Sequence, residues 1–519
     1  MTKLWAALLA ALFASSTAAA GSFGAAVDAL RRAAADPSGS VFDGAAARPM
    51  SAMDIQAEPA AASSVPAPVQ DYINGVEISD AYAQQTFKQC LPNTLETTVR
   101  RQGDGSTFVI TGDIPAMWTR DSCAQLNPYV YMAKGNPDLQ GIIRGTILTS
   151  AKHFNSPDPD APFINSWKDD GTLWERKLEP DGVAYVIRLT YLYWKVTGDE
   201  SWAHQTGDFD MRHAFDKAVD LLKSSTGPTG MVKCPNRPSD DWTKYPYLVP
   251  TNMFLAATLP KLEEMYSTIW KDQARAAECA AMSRTIRDGI QKYATVQHPT
   301  YGTIFAFETD GAGNNLLMDD ANVPSLLSAP YIEYCSNTDP IYQNTRRFVL
   351  SHDNPNFAEG ANGSGIGSPH TPGNKLWPMA VAMQAMTSTD PGEIQGVIKE
   401  LDNLDAGTHY MHEGVNPDNP GDYSRPWFAW ANSMYAELIM KKGLGLNYYP
   451  GDGTYVKPNL GGDVTGPVDF GSASGIKLRV EGSGSTIVSA TVNGRPVRVD
   501  PEKGIKLTGN SSDVVIYTR

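Results

Sequence analysis

Between Asp71 and Gly445, apolar residues recur at three- and four-residue spacing, the period of helices that bury one face. The spacing predicts helices near 79–91, 122–134, 138–153, 182–197, 211–225, 252–270, 273–293, 321–329, 340–350, 376–387, 391–404 and 427–441. Strand-like alternation is rare in this stretch, and YGTIFAFETDG (301–311) is its best hairpin candidate. A dozen helices joined by alternating loops fit a mainly α fold, an (α/α)6 barrel of six hairpins; a less regular helical array fits the periodicity too. After Tyr449-Pro450-Gly451 the pattern becomes short alternating runs, GIKLRVEG, TIVSATVNGRPVRV and SDVVIYT, with an Asn493-Gly494 pair that signals a two-residue hairpin. Residues 446–519 are therefore expected to form a small antiparallel β module.

The first twenty residues read as a secretory signal: Lys3, an apolar stretch from Leu4 to Ala14, and Ala18-Ala19-Ala20 as a small-residue cleavage site. Residues 21–70 are rich in Ala, Pro, Ser and Gly, the composition of a leader or linker, with one short helix near Val27–Ala35. No later segment approaches the roughly 20 apolar residues that span a bilayer, so the expectation is an exported protein with no membrane insertion. Five scattered cysteines (90, 123, 234, 279, 335) contain no C-x-x-C pair, which argues against structural zinc and leaves room for one or two disulfides. Asn362 and Asn510 head glycosylation sequons, relevant only in a eukaryotic host.

Composition narrows the function. Only 19% of the 519 residues are charged, and 43 Lys plus Arg against 57 Asp plus Glu give −14. A nucleic-acid partner held by a broad basic surface is excluded on that balance. With 11 Trp, 22 Tyr and 16 Phe, rings are plentiful, which suits a cavity of stacking surfaces and a few selected carboxylates.

Four loops carry such combinations. In TGDIPAMWTRDS, Asp121 or Ser122 can cap a helix, or Trp118, Arg120 and Asp121 can wall a sugar site. In WERKLEPDG, Asp181 sits where an N-cap belongs; a desolvated carboxyl there can also donate a proton. RPSDDW holds Arg237, Asp240 and Asp241, either a solvated turn or a bidentate grip on hydroxyls. In THYMHEGV, Glu413 lies in a loop ahead of SRPWFAWANS, where Ser424 can cap and Pro426 falls in the first helical turn. The H-E pair is no zincin signature, because no His follows three residues after Glu413. No nucleophile elbow, phosphate loop or dinucleotide fingerprint appears. Acids among rings favour glycoside chemistry, in which one carboxylic acid protonates the departing oxygen and a second carboxylate activates water or attacks the sugar.

Across about 71–445 the chain resembles glycoside hydrolase family 125, the exo-acting α-1,6-mannosidases. The resemblance rests on GDIPAMWTRDS, RPSDD with YLVPTNMF, SPHTPGNKLWPM around His370, and MHEGVNPDNP with SRPWFAWANS. It implies an (α/α)6 barrel, inversion, a mannose-containing glycan as substrate and no metal or other cofactor. By position Asp181 resembles the general acid and Glu413 the general base, while Trp118, Arg120, Asp121, Arg237, Asp240, His370, Arg425 and Trp427 fall in motifs expected to line the pocket. Gly182 and Gly414, directly after the acid and base, depart from the larger residues expected there. Rival readings are a glucoamylase-like α-glycosidase, a mannosidase of another linkage, or a non-catalytic glycan-binding protein.

Overall fold

Thirteen α-helices organise the described residues, 64–519, of the computed structural model: α1 (Ala67–Gly75), α2 (Ala81–Thr97), α3 (Thr119–Gln125), α4 (Asn127–Val130), α5 (Pro137–Phe154), α6 (Asp181–Thr197), α7 (Met211–Ser225), α8 (Val249–Thr268), α9 (Gln273–Tyr293), α10 (Pro340–Val349), α11 (Pro378–Met386), α12 (Pro391–Leu404) and α13 (Ala429–Leu438). The expected signal segment, most of the leader and the helix at 27–35 lie outside the described residues. The helix at 67–75 starts within the expected leader (21–70) and runs past its end, burying Val69, Tyr72 and Ile73.

Two kinds of helix sort themselves by pattern. α7 buries Met211, Ala214, Phe215, Ala218, Val219 and Leu222, a one-sided stripe of an outer helix. α6 buries all but Lys195 and Thr197, and every residue of α13 is buried, as inner helices require. The inner helices pack in sequence, α13 on α3, α3 on α6, α6 on α8, and α11 on α13. Outer helices cover them: α2 lies on α13, α5 on α6, α9 on α8, and α12 on α11.

The helix expected at 321–329 does not form. Pro324 has no N–H to give, the Asp319 carboxylate accepts from the N–H groups of Leu326 and Leu327 at 2.9 Å each, and the Ser325 and Ser328 hydroxyls accept from each other's backbone N–H. Side chains thus take the donors a helix would use. This irregular segment occupies the remaining inner place between α8 and α11 in chain order, tied to α6 by Tyr185 Oη donating to Val323 O. Six inner segments inside six outer helices make the (α/α)6 barrel.

Short strands precede the inner helices. Met117–Trp118 runs into α3 and pairs with Ile164–Trp167, which pairs with Leu173–Leu178 ahead of α6. Tyr247–Leu248 runs into α8 and pairs with Glu308–Thr309. The expected 301–311 hairpin is therefore two strands with other partners: Gly302–Phe305 pairs with Thr295–His298, and Glu308–Thr309 joins a separate sheet.

The C-terminal region is β-rich as expected, but its larger sheet is mixed. Ala473–Glu481 pairs in parallel with Asp513–Thr518, and Glu77–Ile78, from far upstream, adds an edge strand beside Val464–Phe470. The Asn493-Gly494 turn forms, with Val492 opposite Arg495 and φ of 51° and 73° at the two turn residues. This region shares one hydrophobic core with the barrel; the Phe470 ring stacks on Tyr131 at 4.3 Å. All five cysteines are free thiols, so neither anticipated disulfide exists.

Candidate active site

The loops entering the inner helices meet around an open cleft of about 250 Å³. Trp118, Arg120, Asp121, Asp240, His370, Glu413 and Arg425, all singled out in the sequence, line it together with Ile114, Ser239, Asn322, Trp377 and Phe428. That volume is just below the roughly 300–1,000 Å³ of pockets that enclose drug-sized ligands, which suits a single sugar ring.

The first and fourth motifs lock together on one side. Gly112 bridges Phe428, the Asp113 N–H donates to Trp427 O at 3.1 Å, and Arg425 donates from Nε and Nη2 to Asp113 Oδ1 at 2.8 and 2.6 Å. Arg425 Nη1 then stands 3.8 Å from Glu413 Oε1, while Ser424 Oγ donates to Glu413 Oε2 at 3.0 Å. Ser424 is thus a carboxylate clamp instead of a helix cap, and α13 begins only at Ala429. Burial raises the Glu413 carboxyl above its ordinary value, opposed by Arg425, His370 and Ser424. Gly414 follows because a Cβ there would press on Thr371 Oγ1 and Ser424 Oγ, at 2.7 and 3.1 Å. His412 stacks on Tyr423 at 3.7 Å and lies against Arg425 O, so it fixes the loop.

On the other side a single enclosed guanidinium gathers the second and third motifs. Arg120 lies 2.6 Å from Glu179, 3.3 Å from both Asp121 and Asp181, and 3.9 Å from Asp240. Burial disfavours its charge, yet these carboxylates hold it well above the ordinary arginine value. Asp240 accepts from Trp118 Nε1 at 3.3 Å and Asn165 Nδ2 at 3.1 Å. Its backbone is left-handed, φ 67°, which Asp tolerates better than most residues. Burial raises the Asp240 carboxyl, but Arg120 and the contact with Glu179 outweigh it and leave it below the ordinary range.

Not every expected residue reaches the cleft. Asp181 opens α6 without capping it, and its side chain is fully enclosed, with Oδ2 against Arg120. Burial raises its carboxyl despite Arg120. Arg237 turns away to pair with the buried Glu308 at 2.7 Å, and Trp427 packs beside Phe108, Ile110 and Met117. Neighbours supply the rings instead: Trp377 and Phe428, the residues directly ahead of α11 and α13. Trp377 stands in the quoted KLWPM motif and Phe428 beside Trp427, so their signal was in the sequence, one position from the choice made. His370 Nδ1 lies 3.5 Å from Asp241, and that contact, with Glu413 and Asp240 nearby, raises it to about 9. Among the described residues no group of three or more His, Cys, Asp or Glu side chains is arranged to hold a metal ion.

A helical toroid whose loops collect carboxylates, guanidinium groups and rings around an open cleft defines the class: a glycoside hydrolase of the (α/α)6 type. The chain matches the metal-independent α-mannosidases of glycoside hydrolase family 125 over residues 80–228 and 220–440, and it belongs to that family. It is 35% identical over 423 residues to the meiotically up-regulated gene 157 protein of Schizosaccharomyces pombe, covering 70% of this chain and 83% of that one. A metal-independent α-mannosidase of Streptococcus pneumoniae, solved in a non-productive complex with α-1,6-mannobiose, superposes with a TM-score of 0.65 at 36% identity, covering 70% of this chain and 94% of the other. A bacterial glucoamylase bound to acarbose shares the fold alone, with a TM-score of 0.54 at 14% identity over 71% of this chain and 57% of its own.

Proposed function

We propose that this α-mannosidase removes terminal α-1,6-linked mannose from a glycan with inversion, Glu413 acting as general base and Asp240 as general acid. The observation that carries the assignment is that Glu413 and Asp240 are the two carboxylates, besides Asp121, on the cleft lining, whereas Asp181 is sealed behind Arg120. The acid role anticipated for Asp181 therefore moves to Asp240, and Asp181 becomes a counter-ion that holds Arg120. Support for the linkage is the α-1,6-mannobiose held by the pneumococcal relative.

In this reading the mannose ring lies among Trp118, Trp377 and Phe428. Glu413, oriented by Ser424 and Arg425, takes a proton from water as the water oxygen bonds to the anomeric carbon. The carbon–oxygen bond breaks, and the departing oxygen receives the Asp240 proton. Burial makes Glu413 a stronger base than an exposed glutamate. The signal-like first twenty residues support export as part of the proposal, and N-terminal sequencing of the secreted protein, starting after Ala20, checks it.

Mannobioses with α-1,2, α-1,3 and α-1,6 linkages, beside maltose, test the reading. Turnover is expected for the α-1,6 compound, unchanged by a chelator, with the β-anomer appearing first by NMR. Preference for another linkage, or an initial α-anomer, overturns the corresponding part.

A further inference from the structure

We propose that a halide ion, chloride in ordinary media, binds inside the barrel against the buried guanidinium of Arg188 and ties α3, α4 and α6 together beneath the cleft.

Arg188 lies about two helical turns below Asp181 on α6 and is only 5% exposed. A guanidinium carries five N–H donors and stays charged, so burial normally comes with a carboxylate partner. Arg188 has none. Among the described residues no oxygen accepts a hydrogen bond from it and no carboxylate lies within 4 Å; its Nε is sealed from solvent and unpartnered. Its guanidinium lies over the Tyr331 ring, 4.5 Å from the centroid, which covers one face and leaves the N–H edge unsatisfied. The acids whose charge reaches it, Glu437 and Glu333, are already engaged. Glu437 is held by Asn127 at 2.6 Å, Tyr331 Oη at 2.9 Å and Lys441 at 2.7 Å, and Glu333 pairs with Lys261 at 2.7 Å. Lys441 also lies over the Tyr331 ring, at 5.6 Å. Three cations against two carboxylates leave one positive charge over, and an uncompensated buried charge is strongly destabilising.

Arg188 lines a cavity of about 10 Å³ with Cys123, Asn127, Tyr185 and Tyr331. That is room for one guest of about the size of a water molecule, which excludes carboxylate, phosphate and sulfate. Arg188 and Lys441 repel a cation. A water molecule would satisfy N–H groups and leave the charge unbalanced, whereas a monatomic anion does both. The walls come from α3, α4 and α6, so an ion held there joins the helices that carry Arg120, Asp121 and Asp181 into the site above.

The test uses the full-length protein dialysed into sodium gluconate. Crystals then soaked in sodium bromide should show an anomalous bromide peak within hydrogen-bond distance of Arg188; water alone in the cavity, or bromide only at the surface, would overturn the proposal. In solution, replacing gluconate by chloride at equal ionic strength and pH should raise Tm by about 1 °C or more for each tenfold increase in chloride above Kd. Arg188→Met keeps a long apolar stem and removes the charge, so this rise should vanish, while general salt effects persist in both proteins. An equal rise in the two proteins would overturn the proposal. Should Arg188→Met fail to fold, the bromide peak in the unaltered protein decides.

Discussion

In the proposed mechanism three residues divide the chemistry, and their environments give them different tasks. Asp240→Asn preserves side-chain shape and tolerance of the left-handed backbone, so it is expected to stay folded while mannobiose turnover falls by about 10²–10⁴-fold. Glu413→Gln should fall as far, but alike on mannobiose and on 2,4-dinitrophenyl α-mannoside, whose leaving group departs without a proton, because both need activated water. Asp181→Asn should lower both rates together, through Arg120, without leaving-group dependence; steady-state kinetics on the two substrates separates Asp240 from the other two. His370 makes a separate prediction. Its folded value of about 9 exceeds the ordinary 6.5, so the unfolded chain releases its proton first as pH rises. The stability it contributes is full below about pH 6.5 and disappears as pH climbs through about 9. Thermal melts of the wild type and His370→Gln should accordingly converge at alkaline pH.

At the scale of elements, the site depends on how strand-to-helix loops interlock. Gly112 has φ 128° and its Cα abuts the Trp427 carbonyl, so a Cβ there would overlap backbone. Gly112→Ala is expected to cost about 1–3 kcal/mol in a denaturant titration and to raise KM, because the bridge to Phe428 positions Arg425 and Glu413. Helix periodicity predicted eleven of the twelve barrel elements at close to their observed places. It missed 321–329, where an apolar run gave a helical signal and Asp319, Ser325 and Ser328 captured the backbone donors instead. Periodicity records which residues are buried; it is silent on side chains that compete for N–H groups from outside the segment. The same limit explains Ser424, which reads as a cap yet binds Glu413.

At the scale of the whole molecule, the β-rich end is built into the barrel. Gly471 N–H donates to Tyr131 O at 2.6 Å, Tyr448 Oη donates to Lys195 O at 2.7 Å, and Glu77–Ile78 completes the mixed sheet. A chain ending near Gly445 would expose that apolar surface and is expected to aggregate or melt well below the full-length protein, as size-exclusion chromatography and calorimetry would report. Because its five cysteines are unpaired thiols, four of them buried, the full-length protein should melt at the same temperature with and without reductant.

The sequence by itself determined the helical period, the β character of the end, the Asn493-Gly494 turn and the loops that carry the chemistry, because each follows from neighbours within a few residues. It also held the motifs that identify the family. Only the tertiary structure decided which carboxylates face the cleft. On paper Asp181 reads as the acid and Asp240 as a residue that grips hydroxyls; their difference in exposure arises when Arg120 closes over one and Asn165 and Trp118 hold the other at the opening. A carboxyl's exposure and proton affinity are set by groups distant in the chain, and those neighbours exist only once the barrel has closed.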